Sequence, residues 1–305
     1  MRSAEERSID WVASIPFFLI HAIAVAGLFY FPLSWEAAAI VAGFYVVRMF
    51  GVTAGYHRLF GHRSFEVARG MQLFFAVLAM TSVQKGVLWW ASHHRVHHKR
   101  SDLEGDIHSA KLDGFWWSHV GWILSKRYER TELDKIKDFA SYPELRWLDR
   151  HPLVPPVTLA VLTYALGGLD ALYWGMGVGT VLVWHGTFTI NSFTHLFGRR
   201  RYATTDDSRN SLLFALITLG EGWHNNHHHY QRSCPQGFYW WEIDVTYYVL
   251  RAMQAVGLVR KIHVVPEHVR AKGRVEAPVA ASTAAEATAA ARRSVRAAAM
   301  ATSAE

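Results

Sequence analysis

A single cysteine, Cys234, stands among the 305 residues of the chain. It leaves room for no disulfide framework, no cysteine-ligated zinc and no four-cysteine iron–sulfur cluster. Charge is scarce too: Asp, Glu, Lys and Arg make up 19% of the chain against 51% hydrophobic residues, the reverse of a disordered composition. Interleaved basic and aromatic nucleic-acid motifs are absent. The formal surplus of +7 therefore calls for no nucleic acid, because anionic lipid headgroups or an anionic substrate account for it. What the chain has in excess is histidine, with 18 copies gathered in clusters.

Apolar runs set the solvent for those clusters. Trp11 to Phe31 carries no formal charge and has the ~20 residues needed to cross a ~30 Å hydrocarbon layer at ~1.5 Å per residue. It is too long for a signal-peptide core and no small-residue cleavage site follows it. A second run, Trp35 to Ala54, comes after a short link, with Glu36 and Arg48 near its ends. Leu153 to Trp174 and Gly175 to Phe197 form a second such pair. The expected fold is an all-α integral membrane protein: four transmembrane helices as two hairpins, with a cytoplasmic helical cap. Met71 to Trp90 reads as one amphipathic or half-buried helix at the membrane face. The hairpin links carry no Lys or Arg, whereas the N-terminal residues, the region 55–150 and the chain after Arg199 are rich in them. The positive-inside rule then turns both termini and the cap to the cytoplasm. Residues 1–270 form the membrane domain, and 271–305 an Ala-rich low-complexity tail, most biased from Ala277.

The histidines gather where spans end. The groups are HRLFGH (His57, His62), HHRVHH (His94, His97, His98, preceded by His93), NSFTH (Asn191, His195) and EGWHNNHHH (His224, His227, His228, followed by His229). Residues at i, i+3 and i+4 share a helix face, so each HxxHH unit projects three imidazoles together. His57 and His62 would diverge by ~140° on a regular helix and converge only if the helix ends near Gly61. His21, His108, His119, His151, His185, His263 and His268 are read as ordinary core or surface residues. Nine imidazoles from four places suffice for two metal ions. A structural zinc takes only four ligands, and all-nitrogen sets with an open position suit redox iron better than hydrolytic zinc. Asp102, Glu104, Asp106 and Glu221 stand beside the clusters as candidates for orienting ring N–H groups.

These boxes, with GFWWSHVGWIL at Gly114 to Leu124 and the aromatic WWEIDVTYYVL, resemble the membrane fatty acyl desaturases, specifically the stearoyl-CoA (delta-9) desaturase-like branch, over about residues 10 to 260. The resemblance implies a non-haem di-iron centre held by His57, His62, His94, His97, His98, His195, His224, His227 and His228, with Asn191 acting through water. It also implies O2-dependent conversion of a methylene pair in a long-chain acyl thioester, most simply acyl-CoA, into a cis double bond. The family's tunnel bend matches Gln84, Trp90 and Thr187, and its basic headgroup pair matches Lys126 and Arg127. One departure bears on the headgroup. Where acyl-CoA members carry an Arg-Asp pair and an Asn, this chain has Ser92, His93 and Lys85, so a lipid-linked acyl chain stays open. There is no His-Pro-Gly-Gly haem segment, and one cysteine cannot hold an iron–sulfur centre, so electrons are expected from a separate electron-transfer protein and reductase. An alkane or lipid hydroxylase would use the same metal set. A metal transporter would place its ligands near the bilayer midplane instead of at one end of the spans.

Overall fold

The computed structural model describes residues 8–275. The segment from Ala277 that reads as a tail lies outside them. The first helix, α1 (Ile15–Ala26), carries Pro16 in its opening turn, where a missing N–H breaks no bond, and runs on as a tighter turn to Phe29. Helix α2 (Trp35–Phe50) is capped by Ser34, whose Oγ accepts from the Ala37 N–H at 3.2 Å, and Glu36 faces the positive end of the helix. It continues unbroken through wide i→i+5 turns from Gly51 to Gly61. A short strand β1 (Phe65–Val67) then leads into α3 (Arg69–Met80), α4 (Val87–Arg100) and α5 (Pro143–Arg150). The second long apolar segment comprises α6 (Val154–Ala171), wide turns over Leu172–Val178, and α7 (Gly179–Leu196). Three short helices, α8 (Leu212–Ile217), α9 (His224–His229) and α10 (Val245–Ala255), precede β2 (Val259–Ile262), which pairs antiparallel with β1.

Two continuous helical stretches among the described residues are long and apolar enough to cross a membrane: Trp35–Gly61, of 27 residues, and Val154–Leu196, of 43. The second is not one rod. Gly168 leaves helical geometry at φ 65° and ψ −160°, a conformation that a side chain would strain, so the stretch divides into two arms there. Ile15–Phe29 is apolar but shorter than the ~20 residues of a full span. Apolar side chains face outward on these helices, among them Phe18, Leu19 and Ile23 on α1 and Val157, Val161 and Leu162 on α6. This inverts the pattern of a water-soluble bundle.

Inside the bundle, polar groups are paired. Arg48 is 1% exposed; its guanidinium donates to Thr180 Oγ1 and to the Gly175 carbonyl, each at 2.7 Å, tying α2 to the start of α7. It lines protein and does not snorkel outward. Helix α3 packs closely on the wide turns of α2. A Cβ at Gly55 would lie 2.7 Å from the Phe75 carbonyl oxygen, so only glycine lets the two backbones approach this far. The core beneath the cap includes Tyr56, Phe60, Phe65, Phe75, Leu88 and Leu145, all fully buried.

The single helix expected over Met71 to Trp90 is instead two helices. The chain breaks between Met80 and Val87, where Val83 (φ 59°) and Lys85 (φ 66°) take left-handed backbone conformations. Non-glycine residues adopt these at a cost of ~1–3 kcal/mol, and such strain collects where surrounding contacts dictate it. Here the break delivers Gln84 to α7, where its Nε2 donates to Thr187 Oγ1 at 3.0 Å.

Candidate metal centre

The wide turns that end α2 solve the geometry of the first histidine pair. The His62 N–H donates to the His57 carbonyl at 3.1 Å, an i→i+5 bond, and the two rings come to 4.8 Å between centroids. Convergence therefore comes from unwinding the helix as well as from its end at Gly61. Helices α4, α7 and α9 bring the remaining boxes to the same level. The nine histidines fall into two groups, His57, His62, His94, His98 and His227 in one, and His97, His195, His224 and His228 in the other. Within each group one nitrogen per residue lies within 4.8 Å of all the others. Each HxxHH helix serves both groups: His94 and His98 join the first while His97 joins the second, and His224 and His228 join the second while His227 joins the first.

The electrostatics suit a cation. Burial holds His62, His94, His98, His224 and His227 well below the ordinary histidine range, and lowers His228 to about 4. These rings are neutral at pH 7 and offer lone pairs. Their Nε2 atoms face one another at 2.7 Å (His62 and His94) and 3.0 Å (His57 and His227; His195 and His224). His228 Nε2 is buried in its group with no hydrogen-bond partner. Convergent nitrogens without protons to share are destabilising unless a metal ion sits among them, so the donor set fits two nitrogen-loving ions.

Carboxylates fix the rings from behind. His97 donates from Nδ1 to Asp106, His195 to Asp102 and His228 to Asp206, each at 2.8 Å, and His57 pairs with Glu221. Each bond keeps the proton on Nδ1 and turns Nε2 toward the cluster. Burial alone would raise the carboxyl pKa values, but the facing rings outweigh it and hold Asp102, Asp106 and Asp206 well below the usual range. Burial likewise opposes charge on His97, yet Asp106 outweighs it and pushes that ring up. Glu221 is itself held by Arg58 at 3.0 Å and Gln236 at 2.7 Å. Of the four acids singled out in the sequence, Glu104 is exposed and takes no part. Asp206 and Gln236 escaped sequence reasoning because neither stands at a helical spacing from a histidine box. His108, read as ordinary, stacks on His97 with centroids 4.1 Å apart. His93 and His229 belong to neither group; they bond the carbonyls of Trp89 and Val269.

A cavity of about 280 Å3 lies against this centre, with His94 in its lining. Gln84, Trp90, Thr187 and Lys126 line it, and Asn191 and His94 stand where it meets the smaller cavity beside His97 and His224. Its walls are mostly apolar, with Phe17 and Trp184 stacked at 5.2 Å, and the bond between Gln84 and Thr187 crosses its side. Arg127 does not line it; its guanidinium lies 5.8 Å from the Tyr128 ring centroid. Ser92 and His93 are buried and each bonds the Trp89 carbonyl, so neither reaches the cavity mouth.

Comparison with known proteins places the chain in a family. The fatty acid desaturase family profile matches residues 33–263. A sn-2 palmitoyl-lipid 9-desaturase of Nostoc sp. (strain 36) is 37% identical over 260 residues, 83% of this chain and 90% of its own. Delta-9 acyl-lipid desaturase 2 of Arabidopsis thaliana is 36% identical, covering 86% of this chain and 85% of its own. An icosanoyl-CoA 5-desaturase of Limnanthes douglasii is 38% identical, covering 82% and 71%. With a profile spanning most of its length and relatives of this extent, the chain belongs to the fatty acid desaturase family.

Proposed function

We propose that the protein is an O2-dependent desaturase that introduces a cis double bond, at the delta-9 position, into a long acyl chain carried by a membrane lipid. The observation that carries this reading is a mostly apolar cavity that has His94 in its wall and adjoins a smaller one lined by His57, His97 and His224, beside two all-histidine nitrogen clusters. Two iron ions, one among His57, His62, His94, His98 and His227 and one among His97, His195, His224 and His228, with Asn191 helping one of them through water, would fit the donors. Bound iron and O2 would supply the oxidising power for C–H bonds too strong and too non-acidic for side-chain bases.

The chain's own residues supply register and exclusion. An acyl chain has no polar marks along its length, so which carbons meet the centre follows from slot shape. Gln84 and Thr187, bonded to each other, hold one part of the wall while Trp90, stacked on Tyr56 at 5.3 Å, gives it a rigid face. Lys126 stands at the mouth, where a headgroup would lie. A lipid carrier in place of CoA is supported by the neutral, buried Ser92 and His93 and by the printed substrates of the Nostoc and Arabidopsis relatives. The acyl-CoA reading retains support from Lys126 and from the Limnanthes relative.

In the membrane we place α1 with α2, and the two arms that meet near Gly168, as two hairpins making four spans. The basic cap and both ends of the described chain then lie on the cytoplasmic side. The deciding experiment is expression in a desaturase-deficient host with gas chromatography of lipid-class-separated fatty acids. A new cis-monoene in phospholipid or glycolipid is expected. A hydroxylated chain would replace this reading with a hydroxylase, and purified protein free of iron from iron-replete cells would remove it.

A further inference from the structure

Three histidines outside the two clusters are joined in a line of their own. His21 stands on α1, His185 on α7 and His119 in the wide turn Trp117–Gly121 of the cap. His21 Nε2 faces His185 Nε2 at 3.0 Å, and His185 Nδ1 faces His119 Nε2 at 3.0 Å. One end of the line meets the Phe17 carbonyl, 2.7 Å from His21 Nδ1; the other meets the Ser192 hydroxyl, 2.9 Å from His119 Nδ1. Both nitrogens of every ring are engaged, so the three do not converge on one point as the cluster histidines do.

Hydrogen counting fixes the state of this line. Charge within a span is costly, which keeps His21 and His185 neutral. Burial, reinforced by His185, lowers His119 to about 4, so it is neutral at pH 7 as well. Three neutral rings and one hydroxyl bring four hydrogens to four contacts. A carbonyl only accepts, so His21 donates from Nδ1 to Phe17. His185 then donates from Nε2 to His21, His119 from Nε2 to His185, and Ser192 to His119. Every contact has its hydrogen.

The line stands one layer behind the acyl cavity. None of its histidines lines that cavity, but Phe17, Trp184 and Phe188 do. Phe17 lies four residues before His21 on the same face of α1, with ring centroids 4.4 Å apart. His185 directly follows Trp184, on which Phe17 stacks at 5.2 Å. Phe188 is 5.8 Å from the His185 ring and 5.7 Å from that of His119. The bond between His21 and His185 thus ties together the neighbours of a stacked pair in the cavity wall. Among the described residues it is the one hydrogen bond between α1 and α7. Only Ala24 of α1 is buried, and apolar contacts with lipid and with protein are nearly alike, so packing alone holds the depth of α1 weakly.

We propose that His21, His185 and His119 are positioning residues for the double bond: their line sets the depth of α1 against α7, and with it where Phe17 and Trp184 meet the acyl chain. The inference rests on the desaturase reading and adds residues that set its register. An α-helix advances ~1.5 Å per residue, close to the advance of one methylene in an extended chain. A slip of α1 by one residue would move the contact by about one carbon, and the double bond with it.

The test uses the full chain in the desaturase-deficient host. Mass spectrometry of derivatised monoenes places the double bonds, and iron is measured in the purified protein. His185→Leu cuts the line in the middle and should move at least about a tenth of the double bonds to adjacent carbons, with iron content unchanged. His185→Gln, whose amide both accepts and donates, should restore a single position. His21→Leu, which leaves the link between His185 and His119 intact, should spread the product likewise and is read alone if His185→Leu fails to accumulate. His151→Leu, at an exposed histidine bonded to the Trp147 carbonyl, should leave the position unchanged. A single unshifted position in the leucine variants would overturn the proposal. So would an equal spread in His151→Leu, or a spread in His185→Gln as large as in His185→Leu. Loss of protein or iron without any spread would mark a merely structural role and overturn it as well. A wild type whose one isomer persists in every variant sinks the positioning line and leaves the desaturase reading standing, whereas a wild type that makes no monoene sinks both.

Discussion

His97 and His98 are consecutive in the chain, with ring centroids 5.3 Å apart, and they belong to different nitrogen clusters. His227 and His228 repeat the relationship at 5.7 Å. On each helix the i and i+4 rings stay together and the i+3 ring crosses to the other cluster. Two helices thus clamp both clusters at once, which fixes the clusters' separation more firmly than one helix per ion would.

That partition makes substitutions at neighbouring positions separable. His97→Ala removes a donor from the four-histidine cluster and His98→Ala one from the five-histidine cluster. Each is expected to lower iron content by about one equivalent and to abolish product, since metal sites depend on complete donor sets. Iron analysis of purified variants, beside gas chromatography, checks this. Two full equivalents in both variants would contradict the partition.

Asp206 holds the proton on His228 Nδ1 at 2.8 Å and leaves the Nε2 of that ring to its cluster. Asp206→Asn should weaken iron retention or turnover by about 10–100-fold, the range for losing a carboxylate behind a metal-binding histidine. Glu104→Gln, at an exposed acid, should leave both unchanged. Chelator competition against each variant measures the difference.

The bond between Gln84 and Thr187 joins two residues of the cavity wall. Gln84→Ala removes it at a net cost of about 1 kcal/mol to stability, small beside the effect expected on register. Product double bonds should spread to neighbouring carbons, measured by mass spectrometry of derivatised monoenes. A single unshifted product at normal rate would show that the bond does not set the register.

Acid should loosen the metal-free protein. Burial depresses the folded-state pKa of His62, His94, His98, His224 and His227, and puts His228 at about 4. The unfolded chain, with histidine near ~6.5, therefore binds protons first as pH falls. The stability these rings contribute is complete above about pH 6.5 and drains away below it, for His228 down to about pH 4. Thermal unfolding of chelator-treated protein in detergent at pH 8, 6.5 and 5 should show a midpoint that begins to fall by pH 6.5 and drops most steeply across the last interval. Bound iron should blunt that drop until protons displace it.

Much of the site was legible before any fold was known. Spacing at i, i+3 and i+4 put three imidazoles of each HxxHH box on one helix face, and the order of apolar runs put the boxes outside those runs. The convergence of His57 with His62 was legible only as a condition, because a regular helix would have kept them apart and nothing local announces the i→i+5 turns. The expected single helix over Met71 to Trp90 failed for a related reason. Its apolar pattern is continuous, and the break at Val83 and Lys85 is imposed by contacts with α7.

By itself the chain determined which nitrogens are available and which local face presents them, since helix pitch depends only on neighbouring residues. Tertiary structure alone decided how those nitrogens are shared between two clusters, that Asp206 meets His228 22 positions further on, and that Gln84 meets Thr187 across 103. Pairings between residues so far apart follow from how helices pack, and no local pattern encodes them.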